Sequence, residues 1–343
     1  MAFNLDSYAY EGILNNPNIT KDVIDELLRR KKDLIFEAVA QSQMATSAQL
    51  QLVYKRNKSF ESLYGLINNP NTPTSILEEM FDLPPKLYFP HWKRSVCKHP
   101  SIPKNILSCY LEKETIEENE ELEYNWLAKN PALSTKEDQF ILAKKLSDPK
   151  YLFENSSLHL EVFEFLWNSG ITEDADSFIN SSYCNEKHAV RICNSNDEAV
   201  GSRNAPTKVI IQARYNSSDV IRRAAFKNTK VPLNYKELDY ENLASLQGIT
   251  QRNDVSEELL LKISQLEISR DSSISWHLFL NKNTPVSVLS ELFNLDKKRP
   301  PLNPNLPSSI LKSVIEGDDG VYKTIALKHP KITLTQLKDY LEL

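Results

Sequence analysis

The chain has 343 residues, 41% of them hydrophobic and 25% charged, with a formal charge of −5. That is enough apolar material for a large core, and the mild negative charge excludes a strong overall attraction to nucleic acid or an acidic membrane, although local basic patches stay open. Only 7 glycines stand against 18 prolines, which argues against glycine-turn-rich β folds and against phosphate-cradling loops, where glycine lets backbone N–H groups approach the ligand.

The amino-terminal MAFNLDSYAYEG lacks the basic start and apolar run of a signal peptide. No run of about 18 apolar residues points to a membrane span. From Gly12 the pattern becomes regular. Gly12-Ile13-Leu14 reads as the end of a short helix and Asn16-Pro17-Asn18 as a turn. Ile19 and Thr20 then read as a hydrophobic staple and an N-cap, before a second helix carrying Val23-Ile24. The same order returns around Ser42, and again as NNPNTPTSILEEM from Asn68, with Leu66-Ile67 before the turn and Ile76-Leu77 after it. His99-Pro100 carries the next copy, leading into Ile106-Leu107.

The acidic run LEKETIEENEELEYN from Leu111 follows. It reads as a solvated helix extension or loop, with an acidic docking surface as the alternative. Asn130-Pro131 and Asn155 head two more copies. SSYCNEKHAVRI, from Ser181, lacks proline and makes residues 170–200 irregular. Regular copies resume at Ser202, Asn228, Arg252 and Asn281. KKRPPL then stands where a first helix is due, so around residues 295–303 that helix is expected to be missing or replaced by an extended link. Asn303 and His329 head the last two copies.

Thirteen units therefore fill the chain, about 26 residues apart. Each is a short helix, a capped turn and a longer helix, and neither helix can bury its apolar side alone. Stacked neighbours create one continuous core. The expected fold is all-α, an α-solenoid forming a single repeat domain over residues 1–343. Strands find no support, because sustained period-two runs are missing and prolines fall where ladders need donors.

NNPNTPTSILEEM, VIRRAAFKNTKVP, LNKNTPVSVLSELF, LNPNLPSSILKSV and TIALKHPKITLTQL resemble the leucine-rich repeat variant family, a relative of HEAT and armadillo arrays. Val220-Ile221-Arg222-Arg223-Ala224-Ala225-Phe226 matches the first half of that family's unit well. The resemblance covers most of the chain. It implies alternating α- and short 3₁₀-type helices in a right-handed superhelix, and almost nothing about function. A founding-type member carries an iron–sulfur cluster in a separate cysteine-rich segment. Cys97, Cys109, Cys184 and Cys193 lack the short spacing a local thiolate set needs, so the cluster is not carried over and no cofactor is expected. The four read instead as free, mostly buried thiols of a reducing cytoplasm, and a bacterial one is expected.

Catalytic and metal motifs are missing: no HExxH, no G-x-S-x-G, no cysteine with a recognisable partner set. His99 and His329 stand where other units have Asn and read as turn caps. Basic residues cluster at Arg29–Lys32, at Lys55, Arg56 and Lys58, at Lys93, Arg94 and Lys98, at Arg222-Arg223, and at Lys297–Arg299. Tyr54 and Trp92 sit beside two of these clusters and would suit stacking on a base or peptide, whereas Trp126, Trp167 and Trp276 read as core. The candidate binding residues are therefore Tyr54, Lys55, Arg56, Trp92, Lys93, Arg94, Arg222 and Arg223. The leading expectation is a non-catalytic scaffold that binds a protein partner. Nucleic-acid binding by a HEAT-like solenoid is the second reading, and an enzyme with a site in the irregular middle units is the third.

Overall fold

The structure is a computed structural model. It describes residues 7–83, 92–117, 120–170, 178–179, 181–195, 197–202, 204–234, 238–296 and 299–343. Among the described residues every regular element is a helix and there is no strand. The chain divides into two compact units. One is Met1–Ser169 together with Leu311–Leu343, and the other is Gly170–Ile310.

In the larger unit the helices alternate in role. First helices Ser7–Leu14, Asp33–Gln41, Phe60–Asn68, Trp92–Lys98 and Glu121–Lys129, then the 3₁₀ turn Pro149–Glu154, pack successively on one another. Second helices such as Lys21–Arg29, Ser47–Arg56 and Thr74–Phe81 lie against that layer. The apolar pairs before each turn (Ile13-Leu14, Leu66-Ile67, Leu127-Ala128) are buried, as are the staple residues Ile19, Ile102 and Leu158. Small residues let first helices approach closely. A Cβ on Gly65 would lie 2.8 Å from Ala40 Cβ and 3.0 Å from the Ala40 carbonyl carbon.

The turn residue does more than cap its own turn. The side chain of Asn69 is buried; its Oδ1 accepts from Asn71 N at 3.0 Å, closing a local Asx turn. Its Nδ2 donates out of the unit, to Ala40 O at 2.9 Å and Ser42 O at 2.8 Å. Ser42 is the equivalent residue of the preceding unit. Asn130 makes the same pair of bonds to Cys97 O and His99 O, and Asn155 to Ala128 O and Asn130 O. Buried carbonyls at a helix end need donors, and one carboxamide supplies two while its own oxygen is satisfied locally. His99 imitates this: Nδ1 accepts from Ser101 N at 3.0 Å, so Nε2 carries the proton and donates to Asn69 O at 2.7 Å.

The ladder also joins the two ends of the chain. Asn16 Nδ2 donates to Leu327 O at 2.6 Å and His329 O at 3.0 Å, so the last turn stands to the first as Ser42 stands to Asn69. Asn18 Nδ2 donates to Pro330 O and Ile332 O, Thr324 Oγ1 donates to Tyr8 O, and Lys328 pairs with Glu11 at 2.7 Å. Helix Gly320–Leu327 packs on Ser7–Leu14 as another first helix of the layer. A Cβ on Gly12 would lie 2.8 Å from Leu327 Cβ.

In the second unit Asn228, Asn281 and Asn303 repeat the ladder, each reaching the preceding turn residue and the carbonyl two before it. Two substitutions preserve its chemistry. Ser202 is short, and Asn204 supplies the amide instead, to Ile179 O and Ser181 O. Arg252, fully buried, reaches Phe226 O, Asn228 O and Val231 O with Nη1 and is held by both oxygens of Asp254 at 2.7 and 2.8 Å. The guanidinium keeps the carboxylate of Asp254 below its ordinary range.

Several expectations change. First helices are mostly α and 7–9 residues long, hardly shorter than the second ones. Side-chain caps at Ser59, Asn242, Asp271 and Asp319 secure their opening turns. A 3₁₀ form holds at Pro149–Glu154 and Asp197–Gly201 in these positions. Residues 299–307 carry no helix, in line with an extended link, while Lys297 and Lys298 lie outside the described residues. Most of the irregular segment before Ser181 also lies outside them. After Pro232, the described residues up to Asn242 carry no second helix.

Candidate interaction surface

The ladder sets which way each first helix faces. Residues two to four before the turn are buried or half-buried, the one just before it is exposed in several units (Gln41, Asn68, Lys98, Lys227), and those five and eight before it mostly point away. The eight candidates divide between these environments. Tyr54 is buried near the end of Ser47–Arg56. Burial, then a hydrogen bond with Glu79, pushes its phenol up to about 12, and the Lys58 ammonium covers its ring. Trp92 is buried edge-on against Phe81, centroids 5.9 Å apart. Neither ring face is presented for stacking on a ligand. Lys55 and Arg56 are exposed in the last turn of their helix, where cations complement the dipole.

Arg94 and Arg223 lie five residues before their turns, on the outward row. Arg94 Nε reaches the buried carboxylate of Glu123 at 3.3 Å, and Arg223 Nη1 reaches Gln247 Oε1 at 3.4 Å. Lys93 is exposed with its ammonium 5.3 Å from the Phe81 ring. Arg222 turns inward: Nη1 donates to Asn216 O at 2.9 Å and Nη2 pairs with Asp219. The basic clusters thus occupy second-helix ends in some units and first helices in others. The acidic run also divides, since Glu123 is buried against Arg94 and Glu120 pairs with Lys113 at 2.5 Å.

The tryptophans exchange roles relative to expectation. Trp126, Trp167 and Trp276 are all part-exposed. Trp126 and Tyr151 occupy the place where other units carry Gly12, Ala38 or Gly65, and lysines line them. Lys98 Nζ lies 4.6 Å and Lys129 Nζ 5.4 Å from the Trp126 ring, with Lys129 also 4.6 Å from Tyr151. Lys129 pairs with Glu154 at 2.8 Å. Of the cysteines, Cys97 alone is buried, its thiol pushed up to about 12 by burial. Cys109 is exposed, and Cys184 and Cys193 are half-buried. Among the described residues no cluster of three or more His, Cys, Asp or Glu side chains could hold a metal ion. No helix among them is long and apolar enough to cross a membrane.

Sequence reasoning missed the outward apolar row. Eight residues before their turns (nine for Phe60 and Leu243) stand Tyr8, Leu34, Phe60, Leu122, Val220, Leu243 and Val321, all exposed. The signal was in the aligned repeats, as an apolar residue one helical turn before the small one. No family model matches the chain, and no curated protein or solved structure does.

Proposed function

We propose that the protein is a non-catalytic repeat scaffold that binds a protein partner on its layer of first helices. This reading takes the chain as a right-handed α-solenoid of about thirteen two-helix units, as the resemblance to the leucine-rich repeat variant family implies, acting in a bacterial cytoplasm. One observation carries it. Ladder and core positions repeat from unit to unit, whereas the outward positions differ and hold large apolar or charged side chains, from Tyr8 and Leu34 to Arg94, Trp126 and Arg223. Varied side chains on a repeated, hydrogen-bonded frame suit recognition of an extended surface. Affinity capture from the native host with the full chain tests it. A partner recovered reproducibly, and lost when outward-row residues are replaced, is the expected result; the absence of any reproducible partner refutes it.

A second reading, nucleic-acid binding, draws on the alternation of Lys98, Trp126, Lys129 and Tyr151, since cation and ring together suit phosphate and base. It requires a salt-sensitive mobility shift with single- or double-stranded DNA or RNA. No shift at low salt removes it.

A further inference from the structure

Three first helices of the second unit, Asp219–Lys227, Leu243–Thr250 and Ser272–Leu280, pack in succession. Arg223 and Lys227 stand one turn apart on the first of them, both exposed. The middle helix, LASLQGIT, carries no charged residue. Its Gly248 lies directly on the first helix, where an added Cβ would stand 2.5 Å from Arg223 O and 3.0 Å from Lys227 N. The glycine leaves no side chain at that level, and the charges of Lys227 and Arg223 act across it on His277 of the third helix. His277 itself takes the position, four before the turn, that Gly12, Gly65 and Gly248 hold in other units.

The His277 ring is half-buried and makes no hydrogen bond among the described residues, although its Nδ1 is fully buried. A buried polar atom without a partner calls for a reason. Burial, then Lys227, then Arg223 lowers the pKa of the ring, and no carboxylate is among the charges that act on it. The two cations are as poorly matched. Lys227 makes no ion pair or side-chain hydrogen bond among the described residues, and Arg223 makes only the 3.4 Å contact with Gln247 Oε1. Asp271, the cap of the third helix, commits its carboxylate to Ser273 and Ile274. What this group of side chains lacks is an anion.

The setting narrows which anion fits. Only two fixed cations are present, and the preceding turn Asp197–Gly201 opens with Asp197 and Glu198. The same three helices also expose apolar Val220, Leu243 and Trp276. A nucleic-acid strand repeats its charge every few ångströms and calls for a longer basic track. A protein segment alternates carboxylates with apolar side chains and matches both parts of the surface. We propose that Arg223, Lys227 and His277 bind the carboxylates of an acidic, extended segment of the partner protein. Two helix steps of about 8–10 Å span about 18 Å, which about six extended residues cover. Arg223 and Lys227 donate charge-assisted hydrogen bonds to the carboxylates, and the neutral imidazole of His277 adds one N–H. The proposal rests on the scaffold reading and specifies its partner.

The test is peptide selection on the immobilised full chain, using a displayed library of 12-residue peptides. Selected peptides are measured by fluorescence anisotropy against the wild type, Arg223→Gln/Lys227→Gln, His277→Gln and the control Lys55→Gln/Arg56→Gln, which removes exposed cations elsewhere. Unchanged thermal melts verify folding. The expected result is peptides rich in Asp and Glu that weaken at least tenfold on Arg223→Gln/Lys227→Gln and several-fold on His277→Gln, with the control at wild-type affinity. Their binding should also shift the imidazole signals of His277, assigned with His277→Gln, in spectra of histidine-labelled protein. Selected peptides without acidic residues, equal binding to all variants, an equal loss on the control, or no selected peptides at all overturn the proposal. A single-stranded oligothymidylate that displaces the peptides at lower concentration than they displace themselves overturns it in favour of nucleic acid. The scaffold reading is judged separately. A native partner captured equally by wild type and Arg223→Gln/Lys227→Gln leaves the scaffold standing and removes this site, whereas no native partner removes both.

Discussion

Replacing Asn69 with Ala removes three hydrogen bonds at a buried position: two donated to Ala40 O and Ser42 O, and one accepted from Asn71 N. Ser42 O keeps a partner in Ala45 N. At about 1 kcal/mol per bond, the expected loss is about 2–3 kcal/mol. The seam between the chain ends offers the same experiment. Asn16→Ala removes bonds to Leu327 O and His329 O and the one accepted from Asn18 N, and His329 O retains Ile332 N. The two substitutions should therefore cost about the same, within about 1 kcal/mol. Urea unfolding of the full chain gives the midpoints. Amide exchange at Asn71 and Asn18 gives a local reading that does not depend on two-state behaviour. Asn69→Asp keeps the acceptor but turns a carboxylate toward two carbonyls, so it should destabilise more than Ala. A cost below about 0.5 kcal/mol for Asn16→Ala, beside a full cost for Asn69→Ala, would refute the closure of the ends. A small cost for both would refute the ladder as a source of stability.

Other substitutions probe the same frame. His99 is held neutral by burial, its pKa lowered from the ordinary 6.5 against the raising effect of its bond to Asn69. Its contribution is therefore complete above 6.5 and is lost as pH falls below it, because the unfolded chain takes the proton first. His99→Asn should flatten the stability profile in that acidic range, as followed by urea midpoints at stepped pH. Gly248→Ala would bring a Cβ to 2.5 Å from Arg223 O and 2.8 Å from Phe226 Cβ, costing about 1–3 kcal/mol. Gly201→Ala, with its nearest contact at 3.5 Å, should leave the melting temperature nearly unchanged. Arg252→Ala strips donors from Phe226 O, Asn228 O and Val231 O and leaves Asp254 without its cation. It should destabilise more than the pair Arg252→Asn/Asp254→Asn, which restores the residues of neighbouring turns; the reverse order of melting temperatures would contradict the view of Arg252 as an amide surrogate.

The turn, the staple and the two-helix unit were legible in NNPNTPTSILEEM and its copies, because proline, N-cap and apolar spacing act within a dozen residues. The burial of Ile76, Leu77, Ile102 and Ile106 followed from that local pattern. His99 as a turn cap was legible for the same reason, although its bond to Asn69 O was not. The candidate surface was read poorly. Tyr54 and Trp92 looked available because they adjoin lysines in sequence, yet their helices turn both rings inward. Trp126 looked like core, yet it occupies a small-residue position and has room only at the surface.

Sequence by itself determined the repeated unit, since the signals that stop one helix and start the next lie within each copy. Tertiary structure alone decided what the repeated Asn is for. Its donors serve carbonyls a full unit away, 22–29 residues back in Asn69, Asn155 and Asn228, and 311 away at the seam. It also decided that Val321 stands beside Tyr8 and Leu34. Nothing in local sequence encodes that neighbourhood, because it arises when carbonyls of residues near the end of the chain meet amides of residues near its start.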